Sequence, residues 1–438
     1  MKKIKIGLIG LGTVGSGVAK IIAEKKELLS SRLGACLDLV CVADLDIETD
    51  RGISFKDGVL TTDAFAATDD PDIDIIVEMI GGTGFAKELV LRAIENGKHV
   101  VTANKALLAD CGKELLTKAI KKKVDIAFEA SAGGCMPIIK TIRESMVGNE
   151  ITGITGILNG TCNYILSKMY REKTSFKDAL KEAMDKGFAE ADPTLDISGE
   201  DSAHKLAVLT SLAYGTDVDL KDIYLEGIEN IHRIDIAFAE EFGYRIKLIA
   251  TNKPRENSIE ARVHPAMISK DNLLANVEDN LNAVTVTGDA TGDILLYGYG
   301  AGMMPTASAV IGDIVDIARN ILSGSTGRIP LITNSKTSKK IPIMPIDEIQ
   351  THYYIRFSAL DQPGVLSKIS GALGESNISI KTVHQKSRRI NNKVPVVMLT
   401  HMARESNMKK ALSLIKQMDF IDSEPILIRI EGEVDGDG

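Results

Sequence analysis

The sequence predicts an α/β chain of three successive domains, and three observations carry that prediction. The first residues run strand, glycine loop, helix; segments after residue 244 alternate like strands of a mixed sheet; and residues 352–431 count out as βαββαβ. A length of 438 residues agrees, because one core rarely serves more than roughly 100–200 residues.

Lys3 to Ile9 (KIKIGLI) reads as a mostly apolar strand, followed by Gly10, Leu11, Gly12, Thr13, Val14 and Gly15 and an amphipathic pattern through Ile22. Strand before and helix after make G-x-G-x-x-G the fingerprint of a Rossmann dinucleotide site over residues 1–130. The first glycine allows the tight turn, the second lets backbone approach the pyrophosphate, and the third lets helix and strand pack closely. The helix N-terminus then holds the phosphates. A second strand, Asp38 to Ala43, ends at Asp44, whose carboxylate suits the two ribose hydroxyls of NAD and repels a 2′-phosphate. Asp46 follows, and Arg51 is the nearest cation, so a fold-over of the loop from Arg51 to Lys56 leaves NADP open. Strands Asp74 to Ile80, closed by Gly81-Gly82, and Lys98 to Ala103, holding Thr102 and closed by Asn104-Lys105, end at the same crevice.

The centre of the chain, Gly187 to Leu206, reads GFAEADPTLDISGEDSAHKL. Asp192-Pro193 favours a turn, Gly199 punctuates the loop, and Asp201 to Lys205 begins a helix on which Asp201 and Lys205 share a face. This stretch falls in an α+β substrate and dimerisation domain, residues 131–305, with a strand from Ile151 and further strands at Ile246 to Thr251, Ser258 to Val263 and Ala283 to Thr287. A second glycine loop, Gly298 to Gly302, runs into a helix over Thr306 to Leu322 whose small residues allow it to return to the nucleotide domain. Residues 323–350 have a linker composition, and 432–438 form an acidic, glycine-rich tail.

Ala183, Gly187-Phe188-Ala189, Asp192-Pro193, Asp196-Ile197, Gly199, Asp201 and Lys205 together match the signature of homoserine dehydrogenases. The resemblance runs the length of the chain, through VTANKALLA around Lys105 and GILNGTCNYIL from Gly156. The join Ala359 to Leu366 is similar to the strand-to-helix turn of ACT domains, which bind amino acids. Four departures stand out: Cys162 for threonine, Tyr299 for arginine, Ala132 for valine and Met136 for isoleucine.

The resemblance implies reversible, NAD(P)H-dependent reduction of L-aspartate 4-semialdehyde to L-homoserine, in threonine, methionine and isoleucine biosynthesis. Hydride addition to an aldehyde leaves an alkoxide that needs a positioned acid, and Lys105 and Lys205 are the catalytic candidates, with the proton donor left open between them. Binding an α-ammonium group requires carboxylates, which Glu190 and Asp196 offer. Asp201 would hold Lys205, while Asn159, Gly160 and Thr161 offer polar groups to the substrate. Gly302 joins the cofactor set. The resemblance also implies a sodium ion on Glu129 and the carbonyls of Ala132, Gly134 and Met136, in a turn whose small residues would expose backbone oxygens. At the ACT turn, Asp361, Gly364, Val365 and Leu366 would receive L-threonine as feedback effector. A homo-oligomer is expected, a dimer through the substrate domain or a tetramer through ACT pairing. With no kinase region before Met1, the monofunctional form is expected.

Net charge of −8 argues against nucleic acid or an anionic membrane as partner. No apolar run approaches the roughly 20 residues of a membrane span, and Met1-Lys2-Lys3 leads straight into a strand, as in a cytoplasmic protein. Five scattered cysteines without C-x-x-C, and histidines without ligand spacing, predict neither disulfides nor zinc. Two alternatives remain: an aspartate-semialdehyde dehydrogenase type using Cys135 as nucleophile, and a non-catalytic amino-acid sensor working through the C-terminal module.

Overall fold

The computed structural model describes residues 1–330, 340–385 and 393–432. It divides into two compact units, one of Met1–Gly160, Asp201–Lys221 and Leu281–Ile341, the other of Thr161–Glu200, Asp222–Asn280 and Pro342–Gly438.

In the first unit, β1 (Lys3–Ile9), β2 (Cys36–Ala43), β3 (Leu60–Thr61), β4 (Ile75–Glu78), β5 (His99–Thr102) and β6 (Ile126–Ala127) form a parallel sheet. Their order is β3-β2-β1-β4-β5-β6, the Rossmann arrangement that the glycine fingerprint predicts. Ile4, Ile6 and Leu8 on one face and Gly7 and Ile9 on the other are buried, as a strand covered on both faces requires. The fingerprint turn leads into α1 (Thr13–Glu24). Gly10 has φ of +97°, and a Cβ on Gly15 would lie 1.9 Å from the Gly10 carbonyl oxygen, so neither position admits a side chain. Helix Met303–Ser323 packs its Ala307 and Met303 against Gly17 of α1, and its Val310, Ile314 and Ala318 join the core of this sheet. The return of that segment follows from small residues facing each other across the two helices. A separate antiparallel group in the same unit pairs Ile151–Ile157 with Leu281–Gly288, and the latter with Gly292–Tyr299.

The second unit is built on the hairpin of Tyr244–Pro254 with Ile259–Ser269. Strand Ile259–Ser269 also pairs in parallel with Ile426–Glu431, which pairs antiparallel with Gln350–Leu360; Lys393–Thr400 and Ile380–Gln385 follow outward. Helices Val365–Glu375 and Glu405–Lys416 cover the module, and Tyr353, Phe357, Ile369, Leu373, Met408 and Ile415 fill its core. The predicted βαββαβ alternation is therefore present, running from Gln350 to Glu431 against the 352–431 read from the sequence. Its edge strand does not stand free: it continues the sheet of the hairpin, which satisfies backbone groups that an open edge would leave bare. Asp235, fully buried at the start of helix Arg233–Glu241, accepts a forked pair of bonds from Arg356 (2.6 and 3.0 Å) and one from the Tyr354 hydroxyl (2.9 Å).

Of the linker composition at 323–350, residues 331–339 lie outside the described residues, and Pro342 to Met344 bond to Ile259 in a strand-like manner. Residues 433–438 of the tail also lie outside them. Among the described residues no helix is long and apolar enough to cross a membrane.

Candidate active site

The carboxyl ends of β1, β2, β4 and β5 carry a connected set of polar groups. Leu11 donates its amide to Asp44 Oδ2, and Asp44 Oδ1 accepts from the Asp46 amide at 2.9 Å. Arg51 reaches the same corner: a guanidinium nitrogen lies 3.2 Å from Asp46 Oδ2 and 3.7 Å from Asp44 Oδ1. The sequence names both Asp44 and Arg51, and folding brings them together. Among the described residues no side chain caps the first turn of α1, which leaves its first amides available to a phosphate.

Sequence reasoning missed the hub of this region, Glu78. Fully buried, it accepts from the amides of Ile80 (2.9 Å) and Gly81 (3.0 Å) and from the Thr102 hydroxyl (2.6 Å). Asn104 extends the network, donating to the Gly82 carbonyl at 2.7 Å while its side-chain oxygen caps helix Lys105–Lys122 at the Leu107 amide. Thus Gly81, Gly82, Thr102 and Asn104 are tied into one surface. The available signal was an acidic residue closing an otherwise apolar strand, IIVE, where a lone carboxylate needs internal partners.

The two lysines converge on one carboxylate. Lys105 Nζ lies 2.7 Å from Asp201 Oδ1, and Lys205 Nζ lies 2.7 Å from Asp201 Oδ2. Lys205 also donates to the Leu158 carbonyl at 2.7 Å, and Asn159 donates to Asp201 Oδ2 at 2.9 Å. The i,i+4 spacing on helix Glu200–Tyr214 supplies one pair, and the Asn104 cap that starts helix Lys105–Lys122 supplies the other. Burial pushes the Asp201 carboxyl upward, but the ammonium groups of Lys205 and Lys105 outweigh it and hold the group well below the usual range. The lysines differ in exposure: the Lys205 side chain is 10% accessible and that of Lys105 39%. Chemically, one anion fixes two cations in place, one of them shielded and one in reach of water.

Of the remaining substrate candidates, Gly160 ends a segment of the first unit, while Thr161, Glu190 and Asp196 belong to the second. Thr161 Oγ1 lies 2.7 Å from the Phe188 carbonyl and 3.0 Å from Asp196 Oδ2. Buried Cys162 directs its thiol to the Asp196 carbonyl at 3.1 Å. Asp196 sits on the short helix Thr194–Ile197, and Gly160 opens helix Gly160–Glu172. Glu190 is exposed.

The segment expected to be an irregular turn forms a single helical turn, Ala130–Gly133, before the chain reverses at Gly134. Glu129 is buried, with its carboxylate accepting from the amides of Ile139 (2.7 Å) and Lys140 (3.0 Å). Its own amide donates to Asp313 Oδ2 at 2.7 Å. Burial, with the Asp313 charge beside it, pushes the Glu129 carboxyl up to about 7, and burial lifts Asp313 to about 6 against the pull of Lys140. The Met136 carbonyl accepts from the Ile138 amide at 2.8 Å. A carboxylate and a carbonyl each keep a further lone pair after such bonds, which leaves these oxygens capable of meeting a cation. Cys135 donates its amide to the Tyr299 carbonyl, and its thiol lies against Gly298. In the C-terminal module, Gly364 precedes helix Val365–Glu375; Val365 is buried, and Asp361 and Leu366 are exposed.

Comparison with known proteins gives the family. Residues 10–129 match the family model of the homoserine dehydrogenase NAD binding domain, 137–315 that of homoserine dehydrogenase, and 353–420 that of the ACT domain. A homoserine dehydrogenase of Neisseria gonorrhoeae is 44% identical over 432 residues, covering 98% of this chain and 99% of that protein.

The chain belongs to the homoserine dehydrogenase family.

A crystal structure of a homoserine dehydrogenase from Thiobacillus denitrificans superimposes with a TM-score of 0.92 at 43% identity, over 98% of this chain and 99% of that one. That of the S. aureus homoserine dehydrogenase does so with a TM-score of 0.78 at 33% identity, covering 99% of this chain and all of that one, 100%. The protein is thus an NAD(P)-dependent oxidoreductase with a nucleotide domain, a mixed-sheet catalytic domain and an ACT domain. Membership in this family displaces both the Cys135 nucleophile and the non-catalytic sensor as readings of the chain.

Proposed function

We propose that the protein interconverts L-aspartate 4-semialdehyde and L-homoserine, with the Lys105–Asp201–Lys205 bridge as its working centre. The observation that carries the reading is that single buried carboxylate holding two amines, next in the fold to the strand ends where a nicotinamide cofactor belongs. When bound, the nicotinamide supplies or removes the hydride at C4 of the four-carbon amino acid. Everything else falls to side chains of this chain. Lys205, held between Asp201 and the Leu158 carbonyl, polarises the aldehyde oxygen. Lys105, the more accessible of the pair, exchanges the proton that the alkoxide takes up. Asp196 and Glu190 neutralise the substrate's ammonium group, and Thr161, Asn159 and Gly160 orient it.

The cofactor lies along Gly10, Leu11, Gly12, Thr13, Val14 and Gly15, with Gly81, Gly82, Thr102, Asn104, Lys105 and Gly302 completing its surroundings. Asp44 favours NAD, while the guanidinium of Arg51 close by supports use of NADP as well. A solved archaeal homoserine dehydrogenase mutant in complex with NADPH, 28% identical over 72% of this chain, is consistent with that second use. Glu129 with the carbonyls of Ala132, Gly134 and Met136 would hold sodium. L-threonine would act at Asp361, Gly364, Val365 and Leu366 to slow threonine, methionine and isoleucine biosynthesis. The working form is a cytoplasmic homo-oligomer, dimer or tetramer.

Initial rates of homoserine oxidation with NAD and with NADP at matched concentrations, each with and without L-threonine, test the reading. Turnover that depends on homoserine supports it. Absence of turnover with either cofactor defeats it.

A further inference from the structure

A buried arginine of the ACT module reaches the back of the substrate loop through one intermediate segment. Arg429, on strand Ile426–Glu431, is 2% exposed. Its guanidinium forks onto Glu405 at the start of helix Glu405–Lys416, donating through Nε at 3.0 Å and through a terminal nitrogen, and Glu405 also accepts from the Tyr353 hydroxyl at 2.8 Å. The other terminal nitrogen of Arg429 donates to Glu226 Oε2 at 2.6 Å. Tyr224 closes the ring: its hydroxyl donates to Glu226 at 2.9 Å, and the guanidinium lies 4.8 Å from its ring centre.

Glu226 belongs to a ledge, residues 224–228, that leans on strand Ile259–Ser269. Tyr224 and Leu225 pair there with Arg262 and Val263, and the Glu226 amide donates to the Val263 carbonyl at 2.9 Å. The opposite side of the ledge meets the substrate loop. The Ile228 amide donates to the Ile197 carbonyl at 2.9 Å, and a Cβ on Gly227 would lie 2.4 Å from that same oxygen and 2.8 Å from Ser198 Cα. Ile197 follows Asp196, which accepts from Thr161 through its carboxylate and from Cys162 through its carbonyl. Asp196 is therefore clamped between helix Gly160–Glu172 and a ledge that the ACT module anchors.

Resting on the reading above, we infer that Arg429 is a positioning residue for substrate binding: through Glu226 and the 224–228 ledge it sets the place of Asp196, and so joins the ACT module to the substrate loop. A charge-assisted bond between a buried guanidinium and a carboxylate is stiff, and close-packed neighbours such as Gly227 and Ser198 pass a displacement on instead of absorbing it.

The test uses the full chain carrying Glu226→Gln, which keeps the size of the side chain and removes its charge, and Gly227→Ala, which presses a methyl group on Ile197. Both are expected to raise the KM for homoserine by about tenfold with cofactor KM near the wild-type value; Glu226→Gln should keep the thermal midpoint close to wild type, whereas Gly227→Ala, whose methyl group has to displace backbone, should lower it. An unchanged homoserine KM in Glu226→Gln overturns the inference, as does a parallel rise in both KM values with a falling midpoint, which marks a merely structural role. Wild-type protein is assayed first: if it does not oxidise homoserine, the functional reading fails, whereas active wild type beside an indifferent Glu226→Gln sinks the positioning role alone.

Discussion

Lys205 Nζ stands 2.7 Å from Asp201 Oδ2 one helical turn away, while the other oxygen of the same carboxylate holds Lys105. Replacing Lys205 by alanine should lower kcat by roughly 10²–10⁴-fold, the range of a lost acid or electrophile, with cofactor Kd nearly unchanged. Fluorescence titration of bound NADH beside steady-state kinetics separates the two effects. A matched loss of binding and turnover would point to misfolding.

Asp201→Asn keeps most of the shape and leaves two ammonium groups facing a neutral amide. Activity should fall as severely as for Lys205→Ala, because removal of one partner from a buried ion pair leaves charge uncompensated. Since the Asp201 carboxyl sits below its ordinary 3.8 in the folded protein, the pairing contributes stability above that pH and loses it as pH falls further. The acid limb of wild-type unfolding should consequently be steeper than that of Asp201→Asn when both are followed by circular dichroism.

Lys247, which is not among the candidate site residues, offers a pH test. Burial pushes it down to about 7 from 10.5, since Asn163 Oδ1 at 2.9 Å, Ser167 Oγ at 3.5 Å and the Val277 carbonyl carry no full charge. With the folded value below the unfolded one, the unfolded chain binds more protons between pH about 7 and 10.5, so stability rises with pH across that window. Urea midpoints at pH 7 and pH 9 should show wild type gaining on Lys247→Met, by no more than about 1.4 kcal/mol per pH unit. A constant difference between the two proteins would refute this.

Arg51 bonds to the carbonyls of Asp46 (2.8 Å) and Thr49 (3.0 Å), which aims it at the Asp44 corner. Arg51→Ala should raise KM for NADP several-fold and leave that for NAD alone, and Asp44→Ala should do the reverse. Equal effects on both cofactors would place neither residue at the ribose.

For sodium, the comparison is thermal midpoint in sodium chloride against choline chloride at equal ionic strength. Wild type should melt higher in sodium, by RT ln(1 + [L]/Kd) expressed in temperature, and Glu129→Gln should not. A shift that survives the substitution would move the ion elsewhere.

Threonine sensitivity is best probed by point changes. Removing everything after Gln350 would strip Ile426–Glu431 from strand Ile259–Ser269 and take Glu431 from buried Arg262, so loss of inhibition in such a truncation would be uninformative. Asp361→Ala, at an exposed position of the turn, and Leu366→Ala, exposed at the start of helix Val365–Glu375, should blunt inhibition at least about tenfold while sparing uninhibited kcat. Full inhibition in both would exclude this turn.

Local chemistry was enough to determine the strand–glycine–helix start, the alternation of the C-terminal module and the pairing of Asp201 with Lys205, because each rests on periodicity or on near neighbours in the chain. The sequence also named Lys105, Asn159 and Asp44 as site candidates, but not their partners. That one carboxylate joins Lys105 to Lys205, that buried Glu78 ties Gly81 to Thr102, and that the ACT strand extends the sheet of Ile259–Ser269 were decided only by tertiary structure. These are contacts between distant segments: burial makes an unpartnered charge or an open strand edge costly, and only the folded chain reveals which distant group meets the need.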